Sequence, residues 1–588
     1  MHDAATEPED RLPVIAPPHV SLPGLQVLRT YQRAWLPADL AAGFVLTAVL
    51  VPVGMGYAQA AGLPPITGLY ATIVPLLVYA VLGPSRILVL GPDSSLAPII
   101  AATVLPLAAG DQDQAVALAG GLALIAGAFG VAFGLLHLGL LTDLLSKPIR
   151  IGYLNGIALT VMVGRLPKLF GFSVEADGFV AEARGFITGV LADDTITPAL
   201  AVGMVALALI AIAKWRGASA VGIVAATVVT TVIAAALDLG ASGVDLVGPL
   251  PAGAPRPSLP ALDLGSMANM LAGGFAIAVV ALADTSVLSR TFAARAGVKV
   301  DSDQELLAVG AANVGNAFWG GFPISASASR TPVADSAGAK TQLTGVVGAL
   351  AILALLVVAP ALTTYLPQPT LGAIVIMAAT SLVDVHGLFR LWRVRRGEFF
   401  LSIACFLGVA LIGVIQGIFL AVGLAFAAFF WRAWRPYSAV LGRVDGLKGY
   451  HDITRYPEAR QPDGLILFRW DAPLFFANAE AFREDLEAAI EARGGAVRWI
   501  VVAAEPMTDV DMTAADMLDD LLDDLDRRGV SLRFAELKDP VKDRLQRYGL
   551  LDRIGPDAFY PTVGTAVDAY VAISGIDWVD WEDRAPTT

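Results

Sequence analysis

Three ionisable side chains stand inside stretches that are otherwise apolar or hydroxyl-rich. Asp93 lies in GPSRILVLGPDSSLA (83–97), Asp284 in AVVALADTSVLSR (278–290) and Arg330 in GGFPISASASRTPVA (320–334). A charge within an apolar span is costly, so such residues mark binding sites or ion pathways. Arg330 is suited to hold an anion; the plainer alternative is a structural pair with a carbonyl or a carboxylate. Asp93 follows Gly91 and Pro92 and precedes Ser94 and Ser95. Aspartate is a favoured helix N-cap, which is its plainer reading. A negative charge there competes with any bound anion, unless Asp93 is protonated when the anion binds. Asp284 has apolar neighbours, so an ionised form is costly. As a site for a cation it suits a proton better than sodium. A sodium site needs several oxygens. Leu288, one turn on, has none; Thr285 and the carbonyls near Ala326 and Ser327 are the other sources. A neutral packing contact is the alternative for Asp284.

Both 83–97 and 320–334 run from Gly and Pro, through a short extended stretch, into a serine-rich helix start. Irregular backbone at membrane depth survives only where protein or a wet cavity satisfies it. A helix N-terminus presents free N–H groups and about half a positive charge, which favours an anion. Ser94, Ser95, Ser327 and Ser329 add hydroxyl donors, or serve only as small residues at close helix contacts.

These segments sit in a chain with two characters. Of 588 residues, 56% are apolar and 16% charged, against about a quarter charged in a typical soluble domain. Residues 437–588 hold 29 acids and 17 lysines and arginines, a net of −12, while the whole chain is −13. The acidity argues against nucleic acid as a partner. Fourteen apolar stretches are expected to span a membrane: 37–56, 66–82, 92–108, 114–137, 148–168, 196–214, 219–238, 266–289, 304–319, 327–339, 342–365, 369–384, 397–415 and 417–434. Alternate loops carry fifteen lysines and arginines, Arg150 among them, on one side and four, Arg165, Lys168, Arg184 and Arg256, on the other. That bias places both termini and the acidic domain in the cytoplasm, and the chain in the inner (plasma) membrane. The polar leader MHDAATEPEDRLP lacks the basic start of a cleaved signal peptide. The broken segments are the third and tenth spans. Seven spans per half is odd, so the halves lie in opposite orientation, the arrangement of many carriers.

Several motifs carry a likeness to a known family. Pro52–Tyr70 reads PVGMGYAQAAGLPPITGLY, Gly83–Pro92 reads GPSRILVLGP, and Gln304–Asn313 reads QELLAVGAAN. Ile324–Thr344 reads ISASASRTPVADSAGAKTQLT and Leu366–Leu371 reads LPQPTL. Over about residues 28–575 the chain resembles the SulP family of sulfate-permease-like anion transporters and exchangers. The resemblance implies two inverted seven-helix repeats divided into a core and a gate domain, a cytoplasmic α/β STAS domain, and a homodimer. It implies transport of sulfate, bicarbonate, chloride or a dicarboxylate by movement of core against gate. It also places Val53 and Tyr57 on a cavity-lining face, where plain packing is the alternative. It matches Ala328, Ser329 and Arg330 to an anion site, and Asp284 to a position linked with cation coupling. Asp93 departs from the family, where an apolar residue is common.

The expected domains are a cytoplasmic N-terminal segment (1–36), a transmembrane transport domain (37–436) and the STAS domain (437–588). In the last, strands are predicted at 465–470, 499–504 and 530–535, and helices at 478–492, 513–528 and 540–548; alternation of this kind reads as α/β. TDVDMTAADML (508–518) resembles the STAS loop-and-helix signature. In partner-switching relatives a phosphorylated serine follows the aspartate. Here Met512 follows Asp511, which speaks against a phospho-switch, although Thr513 comes next; these two are the regulatory candidates. Asp519, Asp520, Asp523, Asp524 and Asp526 read as a solvated helix face.

One cysteine, Cys405, and five scattered histidines give no metal spacing. No phosphate loop or triad pattern points to an enzyme, and no cofactor is expected. The reading is a secondary active transporter of a sulfate-like anion, by proton symport or anion exchange, with membrane lipid around it. Bicarbonate or dicarboxylate transport, sodium coupling and an anion channel on the same fold are the alternatives. A nucleobase permease shares the architecture, but Arg330 and the appended domain speak against it. A membrane sensor with the α/β domain as output is a fourth class.

Overall fold

The structure is a computed structural model and describes residues 22–138, 146–174, 176, 178–262, 265–297, 299–494 and 496–581. Most of the polar leader, with His2 and His19, lies outside the described residues. The chain forms two compact units, residues 1–425 and 426–588.

The first unit is helical, because every backbone polar group in lipid must find its partner within the chain. Its helices are α1 (Pro23–Arg29), α2 (Leu36–Ala60), α3 (Pro65–Leu82), α4 (Ala97–Ala108), α5 (Gln112–Leu135), α6 (Lys147–Phe170), α7 (Phe179–Leu191), α8 (Thr197–Trp215), α9 (Ser219–Ala236), α10 (Met267–Ala296), α11 (Ser302–Ala317), α12 (Arg330–Ser336), α13 (Leu343–Val358), α14 (Gln368–Ala379), α15 (Val385–Val394), α16 (Arg396–Leu407) and α17 (Val414–Trp434). A π-helical turn, Gly408–Ile412, follows α16. Each of the fourteen expected spans holds one of these helices. Seven of them are long and apolar enough to cross a membrane unaided; others are short, as α4 and α12 are. Proline sits at one of the first two positions of α2, α3, α4, α6, α8 and α14, where its missing N–H costs nothing.

Small residues set the packing. A Cβ on Gly68 of α3 would meet the Gly54 carbonyl of α2 at 2.0 Å. On Gly310 of α11 it would meet the Val131 amide of α5 at 2.5 Å. Backbones therefore approach closely, as membrane helices do when size rather than hydrophobicity drives contact. Two bodies result. Helices α2–α5 pack with α10–α13, and α6–α9 with α14–α16; α14 and α9 meet α2, and α4 meets α6, across the divide. Asp39 on α2 ties the first body together. Fully buried, it accepts from the backbone N–H of Lys340 (2.7 Å) and Thr341 (3.0 Å), and from hydroxyls of Thr341, Thr344 and Tyr31.

Helices α1, α7 and α15 were not foreseen as such. Helices α7 and α15 lie between expected spans, and their amphipathic patterns fall short of a span's length. Arg165 and Lys168, assigned to a loop, lie in the last turns of α6.

The second unit is α/β. It comprises β3 (Ser438–Arg443), β4 (Tyr450–Asp452), β5 (Leu465–Trp470), α18 (Ala479–Arg493), β6 (Trp499–Ala503), α19 (Met512–Arg527), β7 (Ser531–Ala535), α20 (Asp539–Arg547), α21 (Leu550–Ile554), β8 (Phe559–Tyr560) and α22 (Val563–Ser574). The sheet order is β4-β3-β5-β6-β7-β8, parallel from β5 to β8 and antiparallel at β3 and β4. The three predicted strands are neighbours in it; β5 and β6 are almost wholly buried and apolar, as burial of both faces requires, while β7 buries Leu532, Phe534 and Ala535 and exposes Ser531. The edge strands β4 and β8, the antiparallel strand β3 beside β4, and helix α22 were not predicted; these strands are short or only partly buried. Asp519 and Asp523 are paired with Arg553, and Asp524 with Arg483 and Arg527, so the acidic face is less free than its composition suggests.

Candidate functional site

The two broken segments meet. Two short strands, β1 (Leu90–Gly91) and β2 (Ser325–Ala326), pair antiparallel, Leu90 opposite Ala326 and Gly91 opposite Ser325. The Ser327 amide donates to the Val89 carbonyl (3.0 Å), and the Val89 amide to Thr331 Oγ1 (3.1 Å). Buried amide side chains satisfy the remaining irregular backbone, as burial demands. Asn313 donates to the Ile324 carbonyl (3.0 Å) and accepts from the Ile324 amide (2.8 Å). Asn316 donates to the Phe322 carbonyl (2.6 Å), and Gln342 to those of Ser85 and Leu88, both 2.9 Å. Each strand feeds a short helix, so the starts of α4 and α12 face one locality.

Regular helix begins later than expected. Ser94 to Leu96 form a turn, and α4 starts at Ala97. The Asp93 carbonyl still accepts from the Ala97 amide (3.2 Å), and its side chain accepts from the Ser95 amide (3.0 Å). The capping role is therefore real, set one turn ahead of the helix. On the other side α12 begins at Arg330 and spans seven residues; the Ser327 hydroxyl accepts from the Arg330 amide (3.2 Å).

Arg330 is fully buried. One terminal nitrogen donates to the Pro92 carbonyl at 2.5 Å, while its Nε and other terminal nitrogen have no partner among the described residues. The carbonyl pair anticipated as the plainer role thus exists, and it leaves donors over. Gly91, with φ +151°, makes room: a Cβ there would lie 3.0 Å from the guanidinium. Asp93 and Tyr57 lie within electrostatic reach of Arg330.

Asp93, Ser94 and Ser95 are buried, as are Val53 and Tyr57 one turn apart on α2. The Tyr57 hydroxyl is within hydrogen-bonding reach of Ser94. Ala328 and Ser329 are exposed and sit at the edge of the site; the Ser329 hydroxyl is 3.2 Å from that of Ser327. Asp284, half-buried on α10, meets Ser95: the Ser95 hydroxyl is 2.8 Å from Asp284 Oδ2 and 3.0 Å from Asp93 Oδ1. A hydroxyl has a single proton to donate. With both acids ionised, one of those contacts sets two lone pairs against each other. One proton on either carboxyl turns both contacts into hydrogen bonds.

Residues scattered over α2, the α4 lead, α10 and the α12 start therefore form one cluster. Asp511 and Thr513 lie apart in the second unit. Asp511 caps α19 through the Ala514 amide (2.8 Å) and accepts from the Phe476 amide (2.8 Å); Thr513 and Met512 are exposed.

Two groups beside Asp284 escaped the sequence reading. Tyr153 on α6 is buried with its hydroxyl unpartnered among the described residues, and both it and Arg150 are in electrostatic reach of Asp284. Arg150 had been counted only as a loop charge. A buried acid, Glu305 on α11, accepts from the Tyr79 hydroxyl (2.6 Å) and from Ser85. It lies in the motif QELLAVGAAN, quoted above only for its likeness.

Comparisons with known proteins bear on the family and the fold. Residues 36–405 match the model of the sulfate permease family, and residues 456–566 that of the STAS domain. The chain is 39% identical over 548 residues to a probable sulfate transporter of Mycobacterium tuberculosis, covering 93% of this chain and 98% of that one. Its fold is similar to that of the murine anion transporter Slc26a9 in an inward-facing state, with a TM-score of 0.85 at 22% identity, over 94% of both chains. It is also similar to the transmembrane domain of the cyanobacterial bicarbonate transporter BicA, with a TM-score of 0.58 at 21% identity, over 67% of this chain and 98% of that one.

Proposed function

The chain belongs to the sulfate permease family, a family of membrane transporters rather than enzymes, and from that premise we propose that it carries a small sulfate-like anion by a proton-coupled cycle. The observation that carries the anion is the guanidinium of Arg330: buried, charged, and with two nitrogens unpartnered among the described residues. A buried cation with free donors is expensive unless an anion completes it. The anion sits before the starts of α4 and α12, where the remaining free N–H groups and the hydroxyls of Ser94 and Ser329 add donors. Val53 and Tyr57 wall the site from α2.

The Ser95 hydroxyl between Asp93 and Asp284 supports the proton. A proton bound there removes a negative charge next to the incoming anion, so the two ions favour each other's binding. Asp93, Ser95, Asp284 and Arg330 all belong to the body of α2–α5 and α10–α13. Arg150 and Tyr153 belong to the other. Movement of one body against the other carries the intact site between two faces of the membrane. The proposed setting is a homodimer in the inner membrane with both termini and the STAS domain cytoplasmic, supported by the loop charges.

Uptake of labelled sulfate, bicarbonate, chloride and a dicarboxylate into proteoliposomes, each with and without an inward proton gradient, tests the reading. Saturable sulfate uptake stimulated by the gradient is the expected result. Uptake that never saturates points to a channel, and stimulation by sodium alone overturns the proton.

A further inference from the structure

A second site lies far along the chain from the broken segments, between α6, α15 and α16. A cavity of about 240 Å³ is bounded there by Leu159 and Met162 of α6, Val385 and Leu388 of α15, and Ile403 and Phe406 of α16. Its lining is almost wholly apolar. The Ser402 hydroxyl at its edge is buried and has no partner among the described residues. The start of α15 is pinned to α6, for the Asp384 amide donates to Asn155 Oδ1 (2.9 Å) and Asp384 caps the helix through the Gly387 amide (2.6 Å).

Helix α15 has two faces. Val385, Leu388, Phe389 and Trp392 recur at helical spacing, and Phe389 is 62% exposed and Trp392 43%. His386, Arg390 and Arg393 occupy the opposite side. The stretch 385–396, VHGLFRLWRVRR, holds four arginines and no acid. Arg396 stacks on Trp392 at 5.2 Å and Arg395 pairs with Glu398 at 3.1 Å. Arg390 and Arg393 are exposed and have no carboxylate partner among the described residues. An amphipathic basic helix with exposed aromatics between two spans lies along a membrane interface, and basic groups there attract anionic headgroups.

We propose that this cavity and helix form a binding site for one anionic glycerophospholipid. An acyl chain occupies the cavity between α6 and α16. The headgroup phosphate is held by Arg390 and Arg393, which have charge to offer and nothing to spend it on. Charge decides the occupant. A neutral lipid leaves the two arginines unmatched. A second copy of this chain docked on the same face by two-fold symmetry sets arginines against arginines. The site is independent of which anion the carrier moves.

The test uses the purified full chain in detergent, with phosphatidylglycerol and phosphatidylcholine of identical acyl chains added in parallel. Native mass spectrometry reports lipid retained per chain, and a melting curve reports stabilisation. The expected result is one phosphatidylglycerol retained, with a larger rise in Tm than phosphatidylcholine gives. Arg390→Gln and Arg393→Gln each cut the preference for the anionic lipid about fivefold. Leu159→Trp, which fills the cavity, lowers retention of both lipids. Equal retention of the two lipids by the unaltered chain overturns the proposal, as does a preference that survives the Arg390→Gln/Arg393→Gln double variant. Retention unchanged by Leu159→Trp overturns the seat of the acyl chain. Both arginines are exposed, so their variants fold.

Discussion

The Ser95 hydroxyl is 2.8 Å from Asp284, a residue 189 positions later in the chain. It is the contact by which the first broken segment touches α10, and it joins the proposed anion site to the proposed proton site. If that joint is the coupling device, Asp284→Asn abolishes stimulation of uptake by an inward proton gradient. Anion counterflow at equal pH on both sides persists. Uptake of labelled sulfate with and without the gradient checks this, and full stimulation in the variant refutes the coupling role.

Ser95→Ala separates the joint from the acid itself. The two carboxyls remain but lose their bridge, so gradient-driven uptake falls roughly tenfold, about the value of one buried hydrogen bond. The pH response should be blunted rather than removed.

Arg330→Gln removes the buried charge while retaining a donor. The KM for the anion rises about ten- to a hundredfold, the worth of a charge-assisted hydrogen bond. Arg330→Lys retains the charge and recovers part of the affinity. Kinetics identical to the unaltered chain would remove Arg330 from the site.

Gly91→Ala probes the same guanidinium from the side. Its Cβ would stand 3.0 Å from Arg330, at a φ of +151° that favours glycine. Anion affinity should fall in step with the Arg330 variants, alongside a fall in melting temperature from the strained backbone. A large fall in Tm with unchanged affinity would show Gly91 to be structural only.

Asp39→Ala leaves the amides of Lys340 and Thr341 without their buried acceptor. A loss of about 3 kcal/mol of stability is expected, read as a lower Tm of the detergent-solubilised chain. Asp39→Asn retains an acceptor oxygen and loses less.

Much of the fold was legible because its causes are local. A run of apolar residues bounded by Gly and Pro reports a span wherever it occurs, and every expected span holds a helix. Strands β5 and β6 were found because burial on both faces demands nearly continuous apolar residues, and β7 because Leu532, Phe534 and Ala535 are buried among its five residues. Strands β3, β4 and β8 are held by pairing with neighbours rather than by composition, so their residues carry little signal. At the site, Asp93, Asp284 and Arg330 stood out as charges in apolar surroundings. Tyr153 did not, because a tyrosine on an apolar helix looks like packing until its hydroxyl is seen without a partner. The role of Ser95 was also hidden. One serine among several gains its position only from the register that carries α10 against the turn at Asp93.

The pairing of β1 with β2 also sets a timetable for biosynthesis. Leu90 and Ala326 are 236 positions apart. At about 5–20 residues per second, the ribosome needs roughly ten to fifty seconds to deliver the partner strand. Through that interval the first half is inserted with a bare strand and no arginine for Pro92. A chain truncated between the halves should therefore be a substrate for membrane quality control, and neither half can bind an anion by itself.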